Sequence, residues 1–92
     1  MRVTPASYIA EFIGTFFFIL SIFVSAGQPL VIGGALALVI FLIAGVSGGH
    51  VNPAVSVAMT LSGSLTPVEL AGYVVAQVAG GAGAYDSYRL LK

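Results

Sequence analysis

The sequence predicts an all-α membrane protein with three transmembrane helices and one re-entrant half-helix. Three observations carry that prediction. Charged residues are 7% of the 92 residues and hydrophobic ones 59%, too little polar surface for a small soluble domain. From Phe12 to Val68 there is no Asp, Glu, Lys or Arg. Inside that charge-free run lies Gly48-Gly49-His50-Val51-Asn52-Pro53-Ala54-Val55. Lipid tolerates such a polar, helix-breaking stretch only where it lines a cavity or a water path.

A span needs about 20 apolar residues to cross a hydrocarbon core of about 30 Å. The first is expected over Pro5 to about Ser25, with Thr4 as N-cap and Pro5 at the first helical position, where a missing N–H costs nothing. Ala26-Gly27-Gln28-Pro29 is the turn that ends it. The second is expected from about Leu30 to Val46, short but sufficient when nearly upright. The third is expected from Pro67 to about Tyr85. Thr66-Pro67-Val68-Glu69 is a capping box with proline at the first position, so its start is well marked. Tyr8, Tyr85 and Tyr88 fall near span ends, where amphipathic rings suit the interface.

Residues 47–62 are too apolar for an aqueous loop and too broken for a span. Ser47-Gly48-Gly49 stops the second helix. Asn52-Pro53 starts another, with Asn52 as cap, which runs to about Leu61 and stops at Ser62-Gly63. Ten residues at about 1.5 Å each give about 15 Å, half a bilayer. The expected form is extended backbone going in and a half-helix coming back. A cleaved leader is the other reading of the N-terminus: Arg2, an apolar run from Phe12 to Val24, then Val24-Ser25-Ala26. Glu11 beside the apolar run and the membrane character of all that follows argue against it.

Composition excludes several functions. The net charge is zero and there are three basic residues, so there is no footprint for nucleic acid. There is no cysteine, hence no disulfide and no thiol nucleophile. One histidine and three carboxylates, Glu11, Glu69 and Asp86, leave no metal site or acid–base dyad within one copy. No cofactor is implied, and nothing points to an enzyme.

The polar residues of the apolar run are the candidates for function. As N-cap, Asn52 accepts a helix N–H with its side-chain oxygen and leaves its NH₂ to donate outward. The positive end of the half-helix points the same way. Together they orient a water or hydroxyl by its oxygen and repel cations. The plain alternative, a simple turn, does not suit backbone buried in lipid. Gly48, Gly49, His50 and Val51 would line the approach with carbonyls, the glycines allowing unusual backbone angles. His50 reads as a proton relay or as a hydrogen-bonded structural residue, and structure is favoured. Glu11 and Gln77 each read as an ion or proton site, or as a clamp on the re-entrant loop, and the clamp is favoured. Small residues recur every four positions, at Ala6, Ala10 and Gly14 and at Gly72, Ala76, Gly80 and Ala84, which permits close helix approach. The bland alternative is that Ala and Gly are simply common in membrane helices.

Ala10-Glu11-Phe12-Ile13-Gly14-Thr15, then Ser47 to Val55, then Tyr73-Val74-Val75-Ala76-Gln77 resemble the major intrinsic proteins, the aquaporins and aquaglyceroporins. The three segments come in the family's order and spacing over nearly the whole chain. The resemblance implies a channel for water or small neutral solutes, and a fold of one aquaporin-type repeat. It implies that Asn52, Pro53 and Ala54 face the pore and that the carbonyls of Gly48, Gly49 and His50 accept from a file of waters. It implies that Glu11 and Gln77 hold the loop. It also places Ile32 where the first half of the family contributes to the selectivity filter, and Ile40, Gly49 and Val55 where the second half does.

The departure is that family members carry two such halves, inverted, in one chain. This sequence resembles the first half only, and Val55 stands where the second half has an arginine of the filter. The expected remedy is an inverted second copy, an antiparallel homodimer in the lipid bilayer, or a complementary channel half. Arg2 at one end and Arg89 and Lys92 at the other give a weak orientation bias, weak enough for insertion both ways. A membrane protein that binds and alters another channel, and a non-conducting truncated channel, are the alternatives.

Overall fold

The computed structural model describes all residues, Met1–Lys92. It contains four helices and no strand: α1 (Pro5–Val24), α2 (Pro29–Ser47), α3 (Pro53–Leu61) and α4 (Pro67–Leu91). Each helix begins on one of the chain's four prolines. Proline belongs there because its fixed φ is already helical and the N–H it lacks would have no partner.

The residue before each proline supplies or receives the cap. Asn52 Oδ1 accepts from the Ala54 N–H at 2.8 Å. At α4 the box closes in both directions, Thr66 N–H to Glu69 Oε1 at 2.9 Å and Glu69 N–H to Thr66 Oγ1 at 3.2 Å. The Thr4 side chain, expected to cap α1, does not; instead the Ser7 hydroxyl reaches back and accepts from the Thr4 N–H at 3.0 Å. At α2 the cap is Gln28, whose Oε1 accepts from Leu30 and Val31. That is one residue ahead of the expected start.

The C-terminal end of α4 corrects the expected boundary, since the helix runs past Tyr85 to Leu91. Falling apolarity after Tyr85 set the expected end, but apolarity does not decide where a helix must stop. The extension is held from α1: Phe23 packs on Tyr85 and Tyr88, with ring centroids 5.3 and 5.4 Å apart. Arg89 in the last turn suits the negative helix end.

α1 is the centre of the fold. It packs against α4 on one side and α2 on the other, and α3 packs against α4. The α1–α4 approach is close because glycine faces it. A Cβ on Gly80 would stand 2.5 Å from the Phe12 carbonyl oxygen and 3.2 Å from the Phe16 nitrogen, both backbone atoms. A Cβ on Gly72 would strike the Tyr8 ring, which itself meets Tyr73 edge-on at 5.7 Å. Gly14 faces the other way, toward Val39 and Ile43 of α2 and Val51 of the loop.

The distribution of polarity is inverted relative to a soluble protein. The buried residues include Ser7, Glu11, Thr15, Ser21, Ser47, His50, Ser56 and Gln77. Leu30, Phe41, Leu61 and Val68 are more than three-quarters exposed. α1 and α2 are long and apolar enough to cross a membrane, and most of both faces outward. α4 has the length, at 25 residues, but its Gly, Ala, Gln and Glu make it less apolar. α3, with nine residues, is about 14 Å long.

Candidate functional site

The site is built on four residues between helices, Gly48 to Val51. Gly48 ends α2 in the left-handed region at φ 87°, Gly49 follows at 65° and Val51 at 46°. For the two glycines this costs little. For a β-branched valine it is strained, by about 1–3 kcal/mol, and persists only where surroundings over-determine it.

Glu11 is what over-determines it. One carboxylate oxygen accepts from the His50 N–H at 3.0 Å and the Ser47 hydroxyl at 2.7 Å. The other accepts from the Val51 N–H at 2.8 Å and Gln77 Nε2 at 2.8 Å. Four donors from α2, the loop and α4 therefore converge on one fully buried side chain of α1. Hydrogen bonds to a charged acceptor contribute about 1.5–3 kcal/mol each, enough together to hold one strained valine. Val51 is also seated by packing, since its Cγ1 would touch any Cβ placed on Gly14.

A second layer braces the clamp. Ser47 Oγ also accepts from the Gly49 N–H, and the Tyr73 hydroxyl donates to the Ser47 carbonyl at 2.7 Å. The Ser7 hydroxyl donates to the Val46 carbonyl at 2.7 Å, satisfying one of the open carbonyls at the end of α2. Gln77 Nε2 reaches Ser56 Oγ at 2.8 Å, and Ser56 Oγ lies 2.9 Å from His50 Nδ1. The His50 ring rests on Tyr73 at 5.0 Å.

At the start of α3 few donors remain. Pro53 has no N–H, Ala54 is capped by Asn52, and the Ser56 N–H bonds to the Asn52 carbonyl. Asn52 Nδ2 and the Val55 N–H have no partner within the chain. Asn52, Pro53 and Ala54 are exposed. Asn52 and Pro53 border a cleft of about 320 Å³ with Thr15, Gln77 and Gly81. A second cavity, of about 480 Å³, lies at the other end of the loop and is lined by Ser47, Gly48, His50, Met59 and Ser64 among others.

The residues expected at the filter are spread more widely. Ile40 lies against the loop: a Cβ on Gly49 would stand 3.3 Å from its Cα. Ile32 lies eight residues earlier on α2, about 12 Å away along the axis, and is half-buried. Val55 is half-buried on α3, which packs on α4 rather than α2. Sequence reasoning passed over Ser7 and Ser56, and named Thr15 and Tyr73 only within the family segments, without a role. Their only signal was that a hydroxyl on an apolar helix needs a partner.

Against this geometry the comparisons are specific. The profile of the family described as Major intrinsic protein matches residues 3–86. The chain belongs to the major intrinsic protein family. Glycerol uptake facilitator protein-like 6 of Lactiplantibacillus plantarum is 37% identical over 81 residues, covering 79% of this chain and 38% of that protein. Aquaglyceroporin AqpS of Rhizobium meliloti is 48% identical over 48 residues, covering 52% of this chain and 21% of that protein. The chain thus spans well under half the length of these relatives. No solved structure matches it. Family membership and the outward apolar helices together make this an integral membrane protein.

Proposed function

We propose that this chain is one half of a channel for the passive movement of water or small neutral solutes, completed by an inverted second half. The observation that carries the reading is the Glu11 clamp. It holds polar backbone in a fixed, strained form and leaves Asn52 Nδ2 and the Val55 N–H unpartnered at the positive end of a helix half a bilayer long. A purely structural loop has no need of such a cost.

On this reading α1, α2 and α4 are the three spans, residues 47–62 form the re-entrant segment, and residues 1–92 form a single repeat. Gly48, Gly49 and His50 offer carbonyls to the path, and Asn52, Pro53 and Ala54 face it. Glu11 and Gln77 hold the loop. The names of the relatives, a glycerol facilitator-like protein and an aquaglyceroporin, favour small polyols beside water as solutes. Ile32, Ile40 and Val55 make an apolar filter without arginine, so cation exclusion is weaker than the family norm and small neutral solutes can pass.

The second half is an inverted copy of this chain or another half of the same kind. Irregular backbone and an uncovered helix end are costly against lipid, and inverted repeats are the usual solution in transport folds. The weak Lys/Arg bias between the two ends supports insertion both ways.

Swelling of liposomes holding the purified chain alone tests the reading. Water or glycerol flux that falls on Asn52→Asp, with C-terminal reporters on both faces of the membrane, is the expected result. Flux only with a partner channel present would favour a modulatory role. No flux in either setting would sink the proposal. Val55→Arg should tighten selectivity against glycerol; unchanged selectivity would remove Val55 from the filter.

A further inference from the structure

The chain has one histidine, and its ring is held by a chain of hydrogen bonds whose directions can be worked out. Gln77 sets the first. Its Nε2 lies 2.8 Å from Glu11 Oε1 and 2.8 Å from Ser56 Oγ. The flipped amide would put oxygen against a carboxylate oxygen, acceptor against acceptor. So Nε2 donates one hydrogen to Glu11 and the other to Ser56.

Ser56 is fully buried. With a lone pair taken by Gln77, its own hydrogen must find an acceptor. The nearby acceptor is His50 Nδ1, at 2.9 Å. The carbonyl one turn back, that of Asn52, already accepts from the Ser56 backbone N–H. A neutral imidazole that accepts at Nδ1 carries its proton on Nε2.

Nε2 has no partner within the chain, and it is not among the sealed, unpaired polar atoms. It sits beside Gly48, where an added Cβ would come within 3.2 Å of it. Both residues line the 480 Å³ cavity. Gly48 therefore keeps the edge of the ring open to that space.

We propose that Ser56 is a positioning residue that fixes His50 as the Nε2–H tautomer, which makes the ring edge a hydrogen-bond donor to a water or hydroxyl oxygen in the cavity. On the channel reading above, the carbonyls of Gly48, Gly49 and His50 belong to the same path. A site that both donates and accepts matches a hydroxyl group in full, whereas a bare cation can use only the acceptors. The solute class rests on the channel reading above; the tautomer does not.

Solid-state NMR of the full chain in lipid bilayers, with isotope-labelled histidine nitrogens and mildly alkaline buffer, tests this without any flux measurement. The single histidine makes the signals unambiguous. The expected spectrum has a protonated Nε2 and an unprotonated Nδ1 shifted by an accepted hydrogen bond. In Ser56→Ala the Nδ1 signal should move to its unbonded position or split between tautomers. Ser56→Thr, which keeps the hydroxyl, should restore the original signal. A protonated Nδ1 in the unaltered chain overturns the proposal. So does an Nδ1 signal unchanged in a Ser56→Ala protein of normal helicity. A chain with the expected spectrum and no flux would keep this inference and sink the channel reading instead.

Discussion

Toward α4, α1 is met by glycine. Gly72 lies under Tyr8, and Gly80 lies against the backbone of Phe12 and Phe16. Toward α2 and the loop, α1 is met by hydrogen bonds, from Ser47, His50 and Val51 to Glu11 and from Ser7 to the Val46 carbonyl. Helix association in lipid draws on close van der Waals packing, because lipid tails are as apolar as leucine. That is enough for two regular helices, whose backbones satisfy themselves. It is not enough for residues 49–51, whose N–H groups have no helical partner. The contrast teaches that shape joins the regular elements here, while a carboxylate is spent where the backbone is irregular.

Four substitutions can break or sharpen that contrast. The largest effect is expected from Glu11→Leu. It strands donors that each make a bond of about 1.5–3 kcal/mol, so a loss of about 4 kcal/mol or more should show as loss of folded protein in detergent. The amides of His50 and Val51 should lose their protection from hydrogen exchange first. Gly80→Leu comes next. It drives a side chain into the backbone of α1 and should cost about 1–3 kcal/mol in thermal unfolding. The His50 and Val51 amides should stay protected; if they open as they do in Glu11→Leu, the two sides are not separable.

Ser7→Ala should cost about 1–2 kcal/mol, since it removes the bonds to the Thr4 N–H and the Val46 carbonyl. Ser7 and Gly80 share no partner, so the Ser7→Ala, Gly80→Leu double variant should equal the sum of the singles within about 0.5 kcal/mol. A larger discrepancy would show the two sides coupled through α1. The smallest effect is expected at Phe41, 80% exposed on α2. Phe41→Leu should change the unfolding temperature by the equivalent of no more than about 0.5 kcal/mol, since neither device touches it.

The helix starts were legible because proline writes them. Pro5, Pro53 and Pro67 could each be read as a first helical residue, and the structure begins helices there. Pro29 was read as turn because its cap is Gln28, and glutamine is not among the usual capping residues. The far end of α4 was not legible, since apolarity reports the environment of a helix and says nothing of its length beyond the membrane. Glu11 stood out as the one charge on an apolar helix, and Gln77 as an amide mid-way along the third expected span. Their meeting at 2.8 Å is a fact of the fold that no spacing contains. The same holds for Ser56 and Tyr73, ordinary residues made important by convergence. The strain at Val51 was hidden because valine gives no sign of a left-handed backbone.

The four prolines have one more consequence. A helix whose first residue is set by its own ring, and whose cap lies within three residues of it, takes its boundaries from the chain itself. Such boundaries are blind to which side of a membrane the chain was threaded from. The same four helices, with the same ends, therefore suit either orientation, and an inverted second half of the kind proposed above would need no change of helix boundaries.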